Sequence, residues 1–120
     1  MMGRPQVPTE TPEEICKALD SGRIVLVDVR EPQEFAVERI VGSRLFPLSC
    51  FDPAALPREE GKPLVFLCGS GKRSETAATK AISAGLDVRS HMKGGISLWK
   101  ASGLQTACGD DSLASVRSLK

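Results

Sequence analysis

The chain reads as one α/β domain built on a mainly parallel sheet, and three features predict this. Two short runs, Ile24-Val25-Leu26-Val27-Asp28-Val29 and Leu64-Val65-Phe66-Leu67, are almost wholly apolar and rich in branched side chains, the pattern of strands covered on both faces. Helix-like stretches alternate with these runs, as parallel strands require. A turn rich in glycine and basic residues, Cys68-Gly69-Ser70-Gly71-Lys72-Arg73, follows the second run directly. Open parallel sheets gather their reactive groups at the carboxyl ends of strands, and Cys68 stands at one. With 120 residues the chain is long enough for one core and too short for two typical domains.

The elements follow in order. Residues 1–8 are expected to be an N-terminal arm, residues 9–103 the domain and residues 104–120 a partly disordered C-terminal tail. Met1 to Thr9, rich in proline and polar residues, is a loose arm or a short edge strand. Thr11-Pro12-Glu13-Glu14 opens a helix: Thr11 is the N-cap, Pro12 takes the first helical position and Glu14 closes a capping box. Ile15 and Leu19 make its buried face and Gly22 stops it. After the strand at 24–29, Pro32 to Arg39 is predicted as a short helix with Phe35 on its inner side. Val41-Gly42-Ser43 then turns the chain into Arg44-Leu45-Phe46-Pro47-Leu48, a short extended segment.

Pro53, Pro57 and Gly61 make Ser49 to Lys62 a loop with one helical turn at Pro53 to Leu56. Beyond the strand at Leu64 to Leu67, a helix is predicted from Ser74 to Ala84, with Ala77, Ala78, Ala81 and Ile82 on one face. Its small residues let it lie close to the sheet, and Gly85 caps it. Val88 to Met92 is a further strand. Gly94-Gly95 turns into a short helix through Ile96 and Trp99 that ends near Gly103. Leu113, Val116 and Leu119 form a weak apolar stripe in an otherwise polar tail.

Composition excludes several function classes. Apolar residues at 41% and charged residues at 26% fit a folded globular chain and not a disordered one. A net charge of +1 and 4% aromatics leave neither a basic footprint nor stacking platforms, so no nucleic-acid partner is expected. No apolar run approaches a membrane span, and the N-terminus lacks a secretory core, so no membrane association and a cytoplasmic location are expected. Cys16, Cys50, Cys68 and Cys108 are far apart, and there is one histidine, which argues against both a zinc site and a disulfide framework. Cys16 is expected to pack within its helix, while Cys50 and Cys108 fall in polar stretches as exposed thiols. Cys50 is also a candidate to resolve an oxidised or sulfur-loaded Cys68.

The turn after the second strand carries the chemistry. Gly69 and Gly71 let the backbone curl and aim its N–H groups inward, and the following helix offers its positive end to an anion. Lys72 and Arg73 add two full charges. The reactive form of a cysteine is the thiolate, and holding one near neutral pH takes roughly 2 kcal/mol of anion stabilisation. Helix dipole, loop amides and cations together can supply that. Cys68 therefore reads as a nucleophile in an anion cradle; the competing reading is an inert buried cysteine beside a simple glycine turn.

Three stretches together resemble the single-domain rhodaneses, the thiosulfate-type sulfurtransferases. They are Val27-Asp28-Val29-Arg30-Glu31-Pro32-Gln33-Glu34-Phe35; Ile40-Val41-Gly42-Ser43 followed by Phe46-Pro47-Leu48; and Cys68-Gly69-Ser70-Gly71-Lys72-Arg73-Ser74 followed by Gly94-Gly95-Ile96 and Trp99. The likeness covers Thr9 to Gly103. It implies a rhodanese-like three-layer sandwich, a mainly parallel sheet with helices on both faces. It also implies catalysis by Cys68, with Gly69, Ser70, Gly71, Lys72, Arg73 and Ser74 binding the substrate and no cofactor or metal. The cycle it implies takes the outer sulfur of thiosulfate onto Cys68 as a persulfide and passes it to cyanide or a thiol acceptor. The alternative is a persulfide carrier or redox-sensing module loaded by a sulfur-relay protein partner. A rhodanese-like binding domain without chemistry is a third reading, and a phosphatase a fourth.

The loop length bears on that choice. Counting the cysteine, it has six residues through Arg73, as in the sulfur-transferring members of the resembled family, whereas related phosphatases and arsenate reductases carry one more. Leu67 stands where tyrosine-phosphatase motifs commonly have a histidine. Two departures are visible. Glu38-Arg39-Ile40 stands where the family often has Gly-His-Ile, and Cys-Gly-Ser-Gly resembles mercaptopyruvate-using members while Lys72-Arg73 resembles thiosulfate-using ones. Two cations favour the dianion. Asp28 and Arg30 are expected to anchor neighbouring loops. His91 is weighed as a general base and set aside, since an activated thiolate needs none, and Trp99 is expected to pack in the core or at its rim.

Overall fold

The computed structural model describes residues 7–109. The first six residues of the expected arm, and Leu113, Val116 and Leu119 of the expected tail, lie outside the described residues. Five parallel strands make the main sheet: β1 (Thr9–Glu10), β2 (Val25–Asp28), β4 (Arg44–Leu45), β5 (Leu64–Leu67) and β6 (Val88–Met92), in the order β1-β6-β5-β2-β4. The two strands read from their apolar runs, β2 and β5, are neighbours at its centre and buried along their whole length. Burial on both faces is what their unalternating sequence requires.

Side chains of β2 and β5 divide between two cores. Leu26, Val65 and Leu67 face Ile15 and Ala18 of α1 (Pro12–Asp20) and Ile96 and Trp99 of α4 (Gly95–Ala101). Val25, Val27, Leu64, Phe66 and Cys68 face Ala77, Ala78 and Ala81 of α3 (Lys72–Ser83). The result is the expected layered sandwich with helices on both faces. Thr11 caps α1 as its sequence dictates, taking the Glu14 N–H while the Glu14 carboxylate takes its own. Ala18, rather than the half-buried Leu19, accompanies Ile15 into the core.

Two elements differ from their sequence reading. The helix α2 (Pro32–Val37) stops two residues early, because Glu38 and Arg39 form β3 (Glu38–Arg39), an antiparallel partner of β7 (Ala107–Cys108). Phe35 is only half-buried and lies under the Arg39 guanidinium, 5.7 Å from its ring centroid, instead of facing a core. Residues 104–109 therefore return to the domain: Ala107 is buried, and Trp99 Nε1 donates to Gln105 O at 2.8 Å. Trp99 itself is wholly core. Among the described residues no helix is long and apolar enough to cross a membrane.

Candidate active site

The loop from β5 to α3 is held from below by the glycine pair after β6. Ile96 N–H donates to Cys68 O at 2.9 Å and Ser97 N–H to Gly69 O at 3.2 Å, so the loop carbonyls point into the start of α4. Gly95 permits this approach. A Cβ there would lie 2.4 to 2.5 Å from Cys68 O and from the carbonyl carbon and oxygen of Gly69, and its φ is +61°. With its carbonyls so engaged, the loop turns amides the other way: Gly71 N–H donates to Cys68 Sγ at 3.0 Å. Gly71 adopts φ +114°, a backbone that residues with a Cβ avoid.

Helix α3 begins at Lys72, two residues before its predicted start, because Gly71 provides the N-cap conformation. Lys72 and Arg73 thus belong to the first helical turn. The backbone N–H groups of Ser70, Lys72 and Arg73 have no acceptor among the described residues, which leaves them for an anion at the helix's positive end. Cys68 is 1% exposed and Ser74 fully buried beside it, with the thiol donating to Ser74 Oγ at 3.6 Å.

The two cations are placed unequally. Lys72 is exposed, and no ion pair engages its ammonium among the described residues. Arg73 is held by Glu34 of α2 through a two-pronged pair, Nη1 to Oε1 at 2.8 Å and Nη2 to Oε2 at 3.1 Å. The same Oε1 accepts the Glu31 N–H at 2.8 Å, which fixes the carboxylate from behind. The Arg73 hydrogen bonds hold the Glu34 carboxyl well below the usual range, at about 2. Arg73 is raised in turn, by its bond to Glu34 first and by the nearby Cys68 to a smaller degree. The local sequence shows Arg73 only as a free cation of the loop, because its partner Glu34 lies 39 positions away.

Asp28 and Arg30 form a buried pair at the end of β2, and Arg30 Nη2 also donates to Glu38 O at 2.7 Å. They tie the end of β2 to the segment that follows α2, the loop-anchoring role their sequence predicts. His91, set aside in the sequence, lies close to the sulfur. Strand register pairs it with Phe66, two residues before Cys68, and its Nδ1 lies 3.0 Å from Ser74 Oγ. Burial pushes its pKa down, against an opposing pull from Glu75. Strand alternation opposite the core residue Met92 is the sequence signal that could have found it on the α3 side of the sheet. Cys50 and Cys108 are exposed.

The Rhodanese-like domain family matches residues 11–102. An uncharacterized protein of Synechocystis is 40% identical over 98 residues, covering 82% of this chain, which spans 55% of that relative's length. The probable adenylyltransferase/sulfurtransferase MoeZ of Mycobacterium tuberculosis is 38% identical over 96 residues, 76% of this chain but only 24% of MoeZ. Thiosulfate sulfurtransferase GlpE of Pseudomonas fluorescens is 31% identical over 90 residues, covering 75% of this chain and 83% of GlpE. A crystal structure of a thiosulfate sulfurtransferase from Pseudomonas aeruginosa superimposes with a TM-score of 0.76 at 25% identity, over 92% of this chain and 21% of that one. A parallel sheet sandwiched by helices, a cysteine cradled where β5 meets α3, and a family match spanning nearly all of that framework agree: the chain belongs to the Rhodanese-like domain family.

Proposed function

We propose that this member is a thiosulfate sulfurtransferase that works through a persulfide on Cys68. The observation that carries the reading is the Gly71 N–H donated to Cys68 Sγ at 3.0 Å, at the N-terminus of the twelve-residue helix α3. Backbone donors and a helix's positive end stabilise a thiolate, and they do so again for the persulfide that replaces it. The thiolate forms a bond to the outer sulfur of thiosulfate; the sulfur–sulfur bond of the donor breaks, and its electron pair leaves with sulfite. Cyanide or a thiolate acceptor then attacks the terminal sulfur, and the electron pair of the persulfide bond returns to Cys68. The free amides of Ser70, Lys72 and Arg73 and the Lys72 ammonium are the groups that meet the donor's sulfonate.

The testing experiment is to incubate reduced protein with thiosulfate and weigh it intact, beside Cys68→Ser. A gain of one sulfur atom that cyanide reverses and the variant lacks supports the cycle. A reactive, unloaded thiol rejects it.

A second reading has its own support. The engagement of Arg73 by Glu34 leaves the loop less cationic than two free charges would make it, which suits a donor less charged than thiosulfate. In that reading Cys68 accepts sulfur from a partner protein's persulfide and relays it. Negligible turnover with thiosulfate, together with rapid loading by a protein persulfide, distinguishes the relay from the enzyme.

A further inference from the structure

Cys68 Sγ is almost sealed from water, yet its thiol must lose a proton to become the nucleophile. Ser74 Oγ is surrounded by three groups: Cys68 Sγ at 3.6 Å, Gly71 O at 3.1 Å and His91 Nδ1 at 3.0 Å. A hydroxyl has one proton to give. Gly71 O does not depend on it, since it also accepts the Glu75 N–H at 3.3 Å. The proton of Ser74 is therefore free to point either at His91 or at the sulfur. At the far side of the ring, Nε2 has no partner among the described residues; since no buried side-chain nitrogen among those residues is left without one, Nε2 is the edge that meets water.

We propose that Ser74 and His91 form a proton path from the Cys68 thiol to solvent, with His91 a positioning residue that acts on the sulfur through Ser74. In the thiol form Cys68 S–H donates to Ser74 Oγ, Ser74 O–H donates to His91 Nδ1, and Nε2 carries the imidazole proton. On ionisation the thiol proton passes to Ser74 Oγ, the Ser74 proton passes to Nδ1, and the Nε2 proton leaves to water. The balance is one proton lost from the site and none gained by the ring. Both hydrogen bonds survive with their directions reversed, so that Ser74 O–H now donates to the thiolate and Nδ1–H donates to Ser74. His91 ends neutral in its other tautomer.

The surroundings suit a neutral ring. Burial lowers the pKa of His91. Glu75 on α3 is the charged group that opposes this; on β1, Glu10 is engaged by Arg89 and Ser90; from the loop after β5, Cys68 is linked to the ring through Ser74. The path rests on Cys68 being the nucleophile, as in the sulfurtransferase reading.

His91 is the only histidine, so protein labelled with nitrogen-15 in histidine carries one imidazole signal pair. The two tautomers differ in which nitrogen shift is that of N–H. At a pH where the difference in ultraviolet absorbance between wild type and Cys68→Ser shows Cys68 as thiolate, the wild type is expected to carry its proton on Nδ1. Cys68→Ser, and wild type blocked with iodoacetamide, are expected to carry it on Nε2. The ratio of tautomers should change by at least about tenfold, as a charge-assisted hydrogen bond delivers, and Ser74→Ala should abolish the difference. The same tautomer in thiolate and blocked protein, or a full exchange surviving Ser74→Ala, overturns the path. The readout needs no sulfur donor, so a protein that fails to load from thiosulfate while showing the exchange disproves the substrate and not the path.

Discussion

Replacing Glu34 by Gln is expected to improve the use of anionic sulfur donors at a small cost in stability. Glu34 grips Arg73 beside the loop through bonds of 2.8 and 3.1 Å, and this lowers its pKa from 4.5 to about 2. Both side chains are 38% exposed, so water screens the pair to a worth of about 1 kcal/mol. The folded-state pKa lies below the unfolded one; the stabilisation is therefore complete above about pH 4.5 and disappears as pH falls from there through 2. Urea unfolding of wild type and Glu34→Gln should differ by about 1 kcal/mol at neutral pH and converge in acid. For catalysis, a carboxylate repels a neighbouring dianion, by about 1 kcal/mol at a separation of about 8 Å in a water-like medium. Removing that charge and releasing Arg73 toward the sulfonate should lower the KM for thiosulfate about five- to thirtyfold, with kcat changed less. Initial rates of sulfite release measure this. The gain should shrink with salt as the Debye length falls from about 30 Å at 0.01 M to 3 Å at 1 M. A raised KM would mean that Glu34 aims Arg73 at the donor rather than withholding it, and an unchanged KM would remove Arg73 from donor binding.

Gly95→Ala is expected to be severe, because its Cβ meets the backbone of Cys68 and Gly69 at 2.4 to 2.5 Å in a left-handed conformation. Strain and overpacking together should cost about 3 kcal/mol or more, visible as a fall in Tm of at least about 12 °C; a Tm within a few degrees of wild type would contradict the clamp. Lys72→Ala should raise the KM for thiosulfate about threefold to fivefold and leave loading by a neutral persulfide donor nearly unchanged. Equal losses with both donors would count against the anion cradle. Asp28→Ala strands the buried Arg30 guanidinium and should cost about 3 to 5 kcal/mol in chemical denaturation, whereas a loss below 1 kcal/mol would show that Arg30 finds water.

Much of this protein was determined by its sequence alone. Thr11, Pro12 and Glu14 specify the start of α1 through bonds spanning three residues, and the unbroken apolar runs of β2 and β5 specify central parallel strands. The Cys68-to-Arg73 loop was legible for the same reason: glycines, cations and a helix start lie within one turn of chain of the thiol. What the tertiary structure decided depends on segments far apart. Arg73 is a free cation on any local reading and becomes a paired one only because α2 brings Glu34 to it from 39 positions away. His91 becomes a neighbour of Ser74 only through the register that sets it beside Phe66, and residues 104–109 become part of the domain only because β3 offers them an edge. Local hydrogen bonding and hydrophobic period are written along the chain. The partner of a charge, or of a strand edge, is chosen by which surfaces the completed core brings together.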